Sequence, residues 1–140
     1  MLYQSLFTFT IFLLSGIFGI EEHDCLDSRE CENEEFTSDD DLVNCYGHYS
    51  CNNTRIHTKQ NILCDGYYGC YNAEKLETTE NIYCRGMKSC VTSQSTIDAE
   101  TVFCYGDQSC QETKIHSGPV SYCTGVNSCL NADVSAGIQF

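Results

Sequence analysis

The sequence predicts an all-β fold, a small disulfide-stapled parallel β-solenoid (β-helix) of about six coils. All 12 cysteines fall into pairs six positions apart, and the first cysteine of each pair recurs every 19 or 20 residues. A repeat of that length is too short for a pair of helices, whereas it fits one coil of a solenoid. Residues within each repeat alternate in character with a period of two, as strands do. The usual hand of parallel crossovers predicts a right-handed coil.

The first 19 residues are predicted to form a signal peptide. An apolar run begins at Leu6 and reaches Ile20, and the small residues Gly16 and Gly19 suit cleavage, which we expect after Gly19. No Lys or Arg precedes the run, so an uncleaved signal anchor is the alternative. Because the run is short for a spanning helix, and no later segment is apolar enough, we expect a secreted, extracellular protein without a stable membrane span.

Residues 20–44 are predicted to be an acidic, degenerate N-terminal capping coil, and residues 45–140 a five-coil Cys-rich solenoid. Residues 21–41 carry 11 acidic side chains and one Arg, within a chain of net charge −13. Asp27 replaces the glycine of the other repeats, and Glu30 replaces the serine. Terminal repeats of solenoids are atypical because one side faces water. Cation binding is the alternative, although no Asp-x-Asp-x-Asp-Gly loop is present. This charge makes nucleic acid an unexpected partner.

Cysteines in a secreted chain indicate disulfides. Structural zinc sites leave about two to four residues between paired cysteines, whereas five intervene here. We prefer bonds within each repeat because even the degenerate first repeat keeps its own pair. Bonds between neighbouring coils are the alternative, since stacking brings their cysteines together. The predicted pairs are Cys25–Cys31, Cys45–Cys51, Cys64–Cys70, Cys84–Cys90, Cys104–Cys110 and Cys123–Cys129.

Each repeat must turn sharply between its two cysteines. The Cα atoms of a disulfide lie within about 7 Å of each other, whereas an extended link would span roughly 20 Å. A glycine two positions after the first cysteine can supply the positive φ that a corner requires. The serine before the second cysteine can satisfy open backbone groups there. The predicted corner glycines are Gly47, Gly66, Gly86, Gly106 and Gly125.

Two strands per repeat follow from the aliphatic positions. An aliphatic residue stands two before most first cysteines and therefore points to the same side of its strand. Another follows the second cysteine, with a small residue two positions later. We expect the core to consist of these side chains and sulfur, and we expect essentially no helix. The aliphatic residues are Val43, Ile62, Ile82 and Val102 in the first strand and Ile56, Leu76, Ile97, Ile115 and Val134 in the second.

The cysteine spacing and corner serine, over residues 25–129, resemble the disulfide-stapled β-helical antifreeze proteins of beetles. That resemblance implies one disulfide per coil. It does not imply ice binding, because that family flanks its first cysteine with a Thr-x-Thr pair, and only Thr124 matches here. The period also differs, since that family's repeat has about twelve residues. The C-x-G-x-x-S-C array is also similar to uncharacterised secreted repeat proteins of unicellular eukaryotes, which imply no activity.

An outward aromatic row is the candidate binding surface. The residue before each first cysteine alternates with inward residues, so it should point outward, and Tyr46 and Tyr105 lie beside this row. Such a face could bind an extracellular protein, a glycan or another copy. The alternative is a stacked ladder that only stiffens the solenoid. The candidate residues are Leu63, Tyr83, Phe103, Tyr122, Tyr46 and Tyr105.

We predict no catalytic residue, no cofactor and no metal site. Glu77 and Asp98 occupy equivalent places in adjacent coils and could form the carboxylate pair of a polysaccharide-active enzyme, but a solvated face is the simpler interpretation. His57 and His116 lie three coils apart, about 14 Å, too far to share a metal ion. Asn52 begins an Asn-Asn-Thr sequon and is a candidate N-glycosylation site.

The expected function is therefore that of a non-enzymatic structural or recognition module, whose partner is an unknown extracellular protein or glycan. Ice or carbohydrate binding by a flat face is the alternative, and a polysaccharide-active enzyme is the third hypothesis. The last repeat keeps its full motif and continues as an alternating strand without a polar cap. We expect self-association, or pairing with a downstream segment, through this C-terminal coil. The alternative is that Phe140 folds over the coil and covers it.

Overall fold

A computed structural model describes residues 22–39, 41–92, 96–135 and 138–139. The predicted signal peptide and Phe140 lie outside the described residues. Eleven β-strands and no helix are present in the described part of the chain. The strands are β1 (Glu22–Cys25), β2 (Glu35–Ser38), β3 (Leu42–Cys45), β4 (Arg55–Thr58), β5 (Ile62–Cys64), β6 (Lys75–Thr78), β7 (Asn81–Cys84), β8 (Thr96–Cys104), β9 (Lys114–Cys123), β10 (Asp133–Ser135) and β11 (Ile138–Gln139).

The strands form a parallel β-solenoid of six coils, as predicted; its hand stays a prediction. Sheet layer one contains β1, β3, β5, β7, the C-terminal halves of β8 and β9, and β11. Sheet layer two contains β2, β4, β6, the N-terminal halves of β8 and β9, and β10. Every strand pair is parallel, and the first cysteines of successive coils are register partners. We number the coils one to six by those cysteines.

The core is the thin space between the two layers. Inward aliphatic side chains such as Ile62 and Ile82 in layer one and Ile56 and Ile97 in layer two are fully buried. Each lies opposite its counterpart in the next coil, so the same side chain packs repeatedly along the axis. Coil six departs from this pattern because Ser121 occupies the inward position, where it is 1% exposed.

All six disulfides join cysteines within one coil, which confirms the predicted pairing. The Cα atoms of a pair are 5.6–6.1 Å apart, as disulfide geometry requires. Sulfur atoms of neighbouring coils also approach closely: those of Cys104, Cys123 and Cys129 lie within 4.8 Å of one another. The disulfides therefore form a column inside one edge of the solenoid.

The predicted role of the corner glycines is wrong, because no described glycine has a positive φ. Positive φ falls instead four, six and eight positions after the first cysteine, for example at Gln108, Cys110 and Glu112, with φ of 52–57°. The glycines are needed for close approach between coils. A Cβ added to Gly106 would lie 2.2 Å from the carbonyl oxygen of Gly86 below it, and a Cβ on Gly86 would lie 2.1 Å from that of Gly66.

In coils two and four, the corner serine binds an open backbone group, as predicted. Ser50 Oγ donates to the Gly47 carbonyl at 2.7 Å, and Ser89 Oγ donates to the Gly86 carbonyl at 2.8 Å. Both serines are fully buried, so this bond satisfies a hydroxyl that would otherwise be costly to desolvate.

Candidate functional site

The candidate site lies on the outer surface of sheet layer one, where the aromatic row forms a stacked ladder. Tyr83, Phe103 and Tyr122 are register partners in coils four to six. Their ring centroids are 4.8 and 5.0 Å apart, and the rings are parallel to within 3°. Because Phe103 has a ring against each of its faces, the half-exposed side chain offers mainly its edge to solvent. We call these three residues the aromatic ladder.

Tyr105 widens the aromatic ladder on one side. It directly follows Cys104, the last residue of β8, and stands two positions after Phe103. Its ring centroid is 5.6 Å from that of Phe103, and the residue is 42% exposed. Its ring is tilted by 49° from the ladder, so it presents surface that the ladder rings do not. The structure therefore places Tyr105 beside the aromatic ladder, where the sequence pattern had grouped it.

Tyr46 is equally exposed at 42% but lies apart from the ladder, three coils from Tyr105. Between them, at the same position in coils three and four, Asp65 accepts two hydrogen bonds of 2.7 Å from Arg85. Burial, and next the Asp65 carboxylate, raise the pKa of Tyr46. Tyr46 therefore shares its motif position with Tyr105 without sharing its surroundings.

Leu63 continues the row below Tyr83 as its register partner in coil three, so at this position of the row an aliphatic side chain replaces the ring. The Arg85 guanidinium carbon lies 5.6 Å from the centroid of the Tyr83 ring, within the range of a cation–π contact. The same guanidinium pairs with the Asp65 carboxylate. The sequence could have predicted this ion pair, because Asp65 and Arg85 occupy the same motif position in adjacent coils. The aromatic ladder is thus bounded at its lower end by an aliphatic side chain and an ion pair.

A second aromatic cluster lies at the corners and was not among the candidate residues. Tyr49 and Tyr68 stack with ring centroids 4.7 Å apart, and Tyr67 and Tyr71 meet Tyr68 edge-on. Lys88 Nζ lies 5.4 Å from the Tyr68 ring centroid. A hydrogen bond with Lys88 lowers the pKa of the Tyr68 hydroxyl, and the bond with Tyr68 raises the pKa of Tyr67. The 19-residue separation of Tyr49 and Tyr68 predicts this stacking.

The carboxylates considered for catalysis are neighbours, but each is bonded to a base. Glu77 and Asp98 are register partners on sheet layer two. Glu77 Oε2 lies 2.6 Å from Lys75 Nζ and 3.1 Å from His57 Nδ1, and these two contacts, that with Lys75 first, lower the pKa of Glu77. Asp98 Oδ1 lies 3.1 Å from the Nδ1 atom of His116. A general acid in glycoside hydrolysis needs a raised pKa, which is the opposite of the shift at Glu77.

A cavity of about 210 Å³ opens at the N-terminal end of the solenoid. Its walls include His23 and Phe36, whose ring centroids are 4.2 Å apart, together with Asp41 and His57. His23 and Phe36 hold the inward positions of coil one, opposite Val43 and Ile56 of coil two. The cavity is therefore the open end of the core, and it does not include Glu77 or Asp98.

The sequon asparagine is half-buried and engaged. Asn52 Nδ2 donates to Glu32 Oε1 at 2.9 Å, while Thr54 of the same sequon is fully buried and donates to the Cys51 carbonyl. A glycan on this nitrogen would replace one of its two hydrogens and would have to fit beside Glu32. Glycosylation of Asn52 stays a prediction.

Neither a family model, nor a curated protein, nor a solved structure matches the chain. Within the described ranges, no helix has the length and apolar character needed to cross a membrane. All 12 cysteines are in disulfides, which is typical of proteins that fold in an oxidising compartment.

Proposed function

We propose that the protein is a secreted, non-enzymatic recognition module that uses the aromatic ladder and Tyr105 to bind an extracellular protein. The observation that carries this proposal is the stack of three outward rings, in register, on coils four to six. The disulfide column holds the backbone beneath the ladder rigid, so a partner meets a surface that is already ordered. A preordered surface reduces the entropy lost on binding.

A protein partner fits this surface better than a glycan does. Pyranose rings bind aromatic side chains by lying on an open ring face, whereas the faces of Phe103 are covered by Tyr83 and Tyr122. The exposed ring edges, the tyrosine hydroxyls and the tilted ring of Tyr105 instead suit the mixed apolar and hydrogen-bonding contacts of a protein interface. Tyrosine is also enriched among the residues that dominate such interfaces.

The absence of catalysis is supported by the chemistry of the side chains in the described ranges. The cysteines are bonded and so offer no thiolate nucleophile. The carboxylate of Glu77 is held ionised by Lys75 and His57. Secretion is supported by the six disulfides and by the apolar N-terminal run in the sequence.

The test uses the matched tyrosines Tyr105 and Tyr46, which have the same motif position and the same 42% exposure. Immobilised protein is incubated with the secreted proteins of its source organism, and retained proteins are identified by mass spectrometry. A protein retained by the wild type should be lost with Tyr105→Ser and kept with Tyr46→Ser. Equal retention by both variants contradicts the proposed surface. Binding of the wild type on a glycan array, or thermal hysteresis in its solutions, would instead support the carbohydrate or ice hypothesis.

A further inference from the structure

The two ends of the solenoid differ in how their backbone groups are satisfied. Inside the solenoid, the carbonyl of the first cysteine in each of coils one to four accepts two hydrogen bonds from the coil above. The Cys45 carbonyl accepts the N–H groups of Asp65 and Gly66 at 3.1 and 2.9 Å. The Cys64 and Cys84 carbonyls accept the corresponding pairs from coils four and five. Each coil therefore needs an acceptor directly below its corner.

Coil one supplies that acceptor from its own side chain. The N–H groups of Leu26 and Asp27 both donate to Glu30 Oε2, at 2.7 and 2.8 Å. Glu30 stands where coils two, four, five and six have the corner serine. Its carboxylate occupies the role that the cysteine carbonyl of a preceding coil plays elsewhere. The departure from the motif at residue 30 is thus a specific cap.

Asp27 excludes a preceding coil by steric means. The equivalent glycines cannot carry a Cβ, because it would lie 2.0 Å from the Asp27 carbonyl oxygen in the case of Gly47 and 2.2 Å from the Gly47 carbonyl oxygen in the case of Gly66. A coil stacked below coil one would place a carbonyl at the same point relative to the Asp27 Cβ. The Asp27 side chain and the Glu30 carboxylate together close the corner of coil one to stacking, although β1 and β2 each pair with one described strand, as β10 and β11 do.

Coil six keeps the internal motif, and the residues described there include no such cap. Gly125 and Ser128 are present, and β10 and β11 pair with β9 alone among the described strands. In internal coils, the residues four and eight after the first cysteine donate their N–H groups to the next coil, as Gln108 and Glu112 do to Val126 and Leu130. The corresponding residues of coil six are Asn127 and Asn131, which have the same positive φ, 56° and 58°. Because the backbone conformation repeats, we infer that their N–H groups are directed towards the place that a seventh coil would occupy.

The side chains at this end favour contact with a copy of itself. Val126 is 68% exposed and Leu130 is 45% exposed. Residues 123–135 contain one charged side chain, Asp133, whereas residues 25–38 of coil one contain five acids and one Arg. Two copies of coil six can therefore approach without strong repulsion, which two copies of coil one cannot do.

We propose that the protein self-associates through coil six alone and forms a finite, two-fold symmetric dimer joined end to end. Closure of coil one by Asp27 and Glu30 prevents head-to-tail stacking, which would otherwise give open filaments. A two-fold axis pairs the same surface in both copies, so the apolar Val126 and Leu130 of each copy pack against those of the other and the edge strands pair antiparallel. This dimer is independent of what the aromatic ladder binds.

The first test measures sedimentation equilibrium over a wide concentration range. The full chain should fit a monomer–dimer equilibrium. Val126→Glu/Leu130→Glu should weaken the dimer at least about tenfold, whereas Leu26→Glu, on an exposed apolar residue of coil one, should leave it unchanged. Circular dichroism of each variant verifies that the solenoid is folded. A wild type that stays monomeric, or a dimer that Leu26→Glu weakens as much as the double variant does, overturns the proposal.

The second test removes the cap. Asp27→Gly/Glu30→Ser restores the internal motif in coil one, so both ends can stack, and species larger than a dimer should appear. Adding Val126→Glu/Leu130→Glu to that variant should suppress them. Wild-type filaments, or an uncapped variant with unchanged association, would contradict the inferred role of coil one. Loss of the protein partner with Tyr105→Ser is read separately, because that variant should dimerise normally.

Discussion

Replacing Gly106 by alanine tests whether the corner glycine serves close approach between coils. The added Cβ would lie 2.2 Å from the Gly86 carbonyl oxygen and 2.6 Å from the Arg85 carbonyl oxygen. Both are backbone atoms, so no side-chain rotation relieves the contact. The corner of coil five must therefore rise by about 1 Å to restore ordinary separations.

That shift would break the corner hydrogen bonds below it. The N–H groups of Tyr105 and Gly106 donate to the Cys84 carbonyl at 3.1 and 3.2 Å, distances that a rise of about 1 Å takes beyond bonding range. Two lost bonds cost about 1–3 kcal/mol, and residual overpacking adds about 1–3 kcal/mol. We expect Gly106→Ala to lower the free energy of unfolding by roughly 3 kcal/mol and the melting temperature by roughly 10–20 °C.

The assay is urea unfolding with disulfides intact, followed by circular dichroism. The matched control is Asp27→Ala, at the same motif position in coil one, where no coil lies beneath among the described residues. Its unfolding midpoint should be within experimental error of the wild type. If Gly106→Ala unfolds at the wild-type midpoint, then the close-approach argument is refuted.

Two further predictions follow from exposure and charge. The Cys123–Cys129 disulfide is partly exposed, whereas the other ten cysteines are buried. Graded reduction followed by alkylation and mass spectrometry should therefore label this pair first. Uniform labelling of all six pairs would contradict this prediction. Lys75→Met should raise the pKa of Glu77, which the Lys75 contact now lowers, whereas Lys114→Met should not. Because the pKa of Glu77 is lower in the folded protein than in the unfolded chain, the Lys75–Glu77 contact stabilises the fold at neutral pH, and this contribution is lost as the pH falls through the folded pKa. Both side chains are over a third exposed, so it should amount to about 1 kcal/mol or less. Carboxyl NMR titration measures the shift, and an unmoved Glu77 in Lys75→Met would sink the assignment.

The regular spacing of the cysteines and aliphatic residues determined the fold class and the number of coils, and it favoured the six disulfide pairs that the structure confirms over bonds between neighbouring coils. These features depend on residues within one repeat, where distance along the chain limits distance in space. Two cysteines six positions apart can reach disulfide distance when the chain turns between them. A residue two positions from Cys64, such as Ile62, lies on the same side of its strand.

The contacts of Gly106 and Glu30 and the stacking of the aromatic ladder were decided by the tertiary structure. Each depends on a contact, or a missing contact, with a coil about 20 residues away, and its direction cannot be read from one repeat. The sequence predicted a positive φ for Gly106, whereas the structure shows that the glycine is needed because the carbonyl oxygen of Gly86 lies 2.2 Å from where its Cβ would be. Likewise, an outward row of rings was predicted, but only stacking at 4.8 and 5.0 Å shows that Phe103 keeps its faces covered. The physical reason is that these contacts join residues of different coils, and their distances are set by how the coils stack. The pattern of residues within one repeat does not specify those distances.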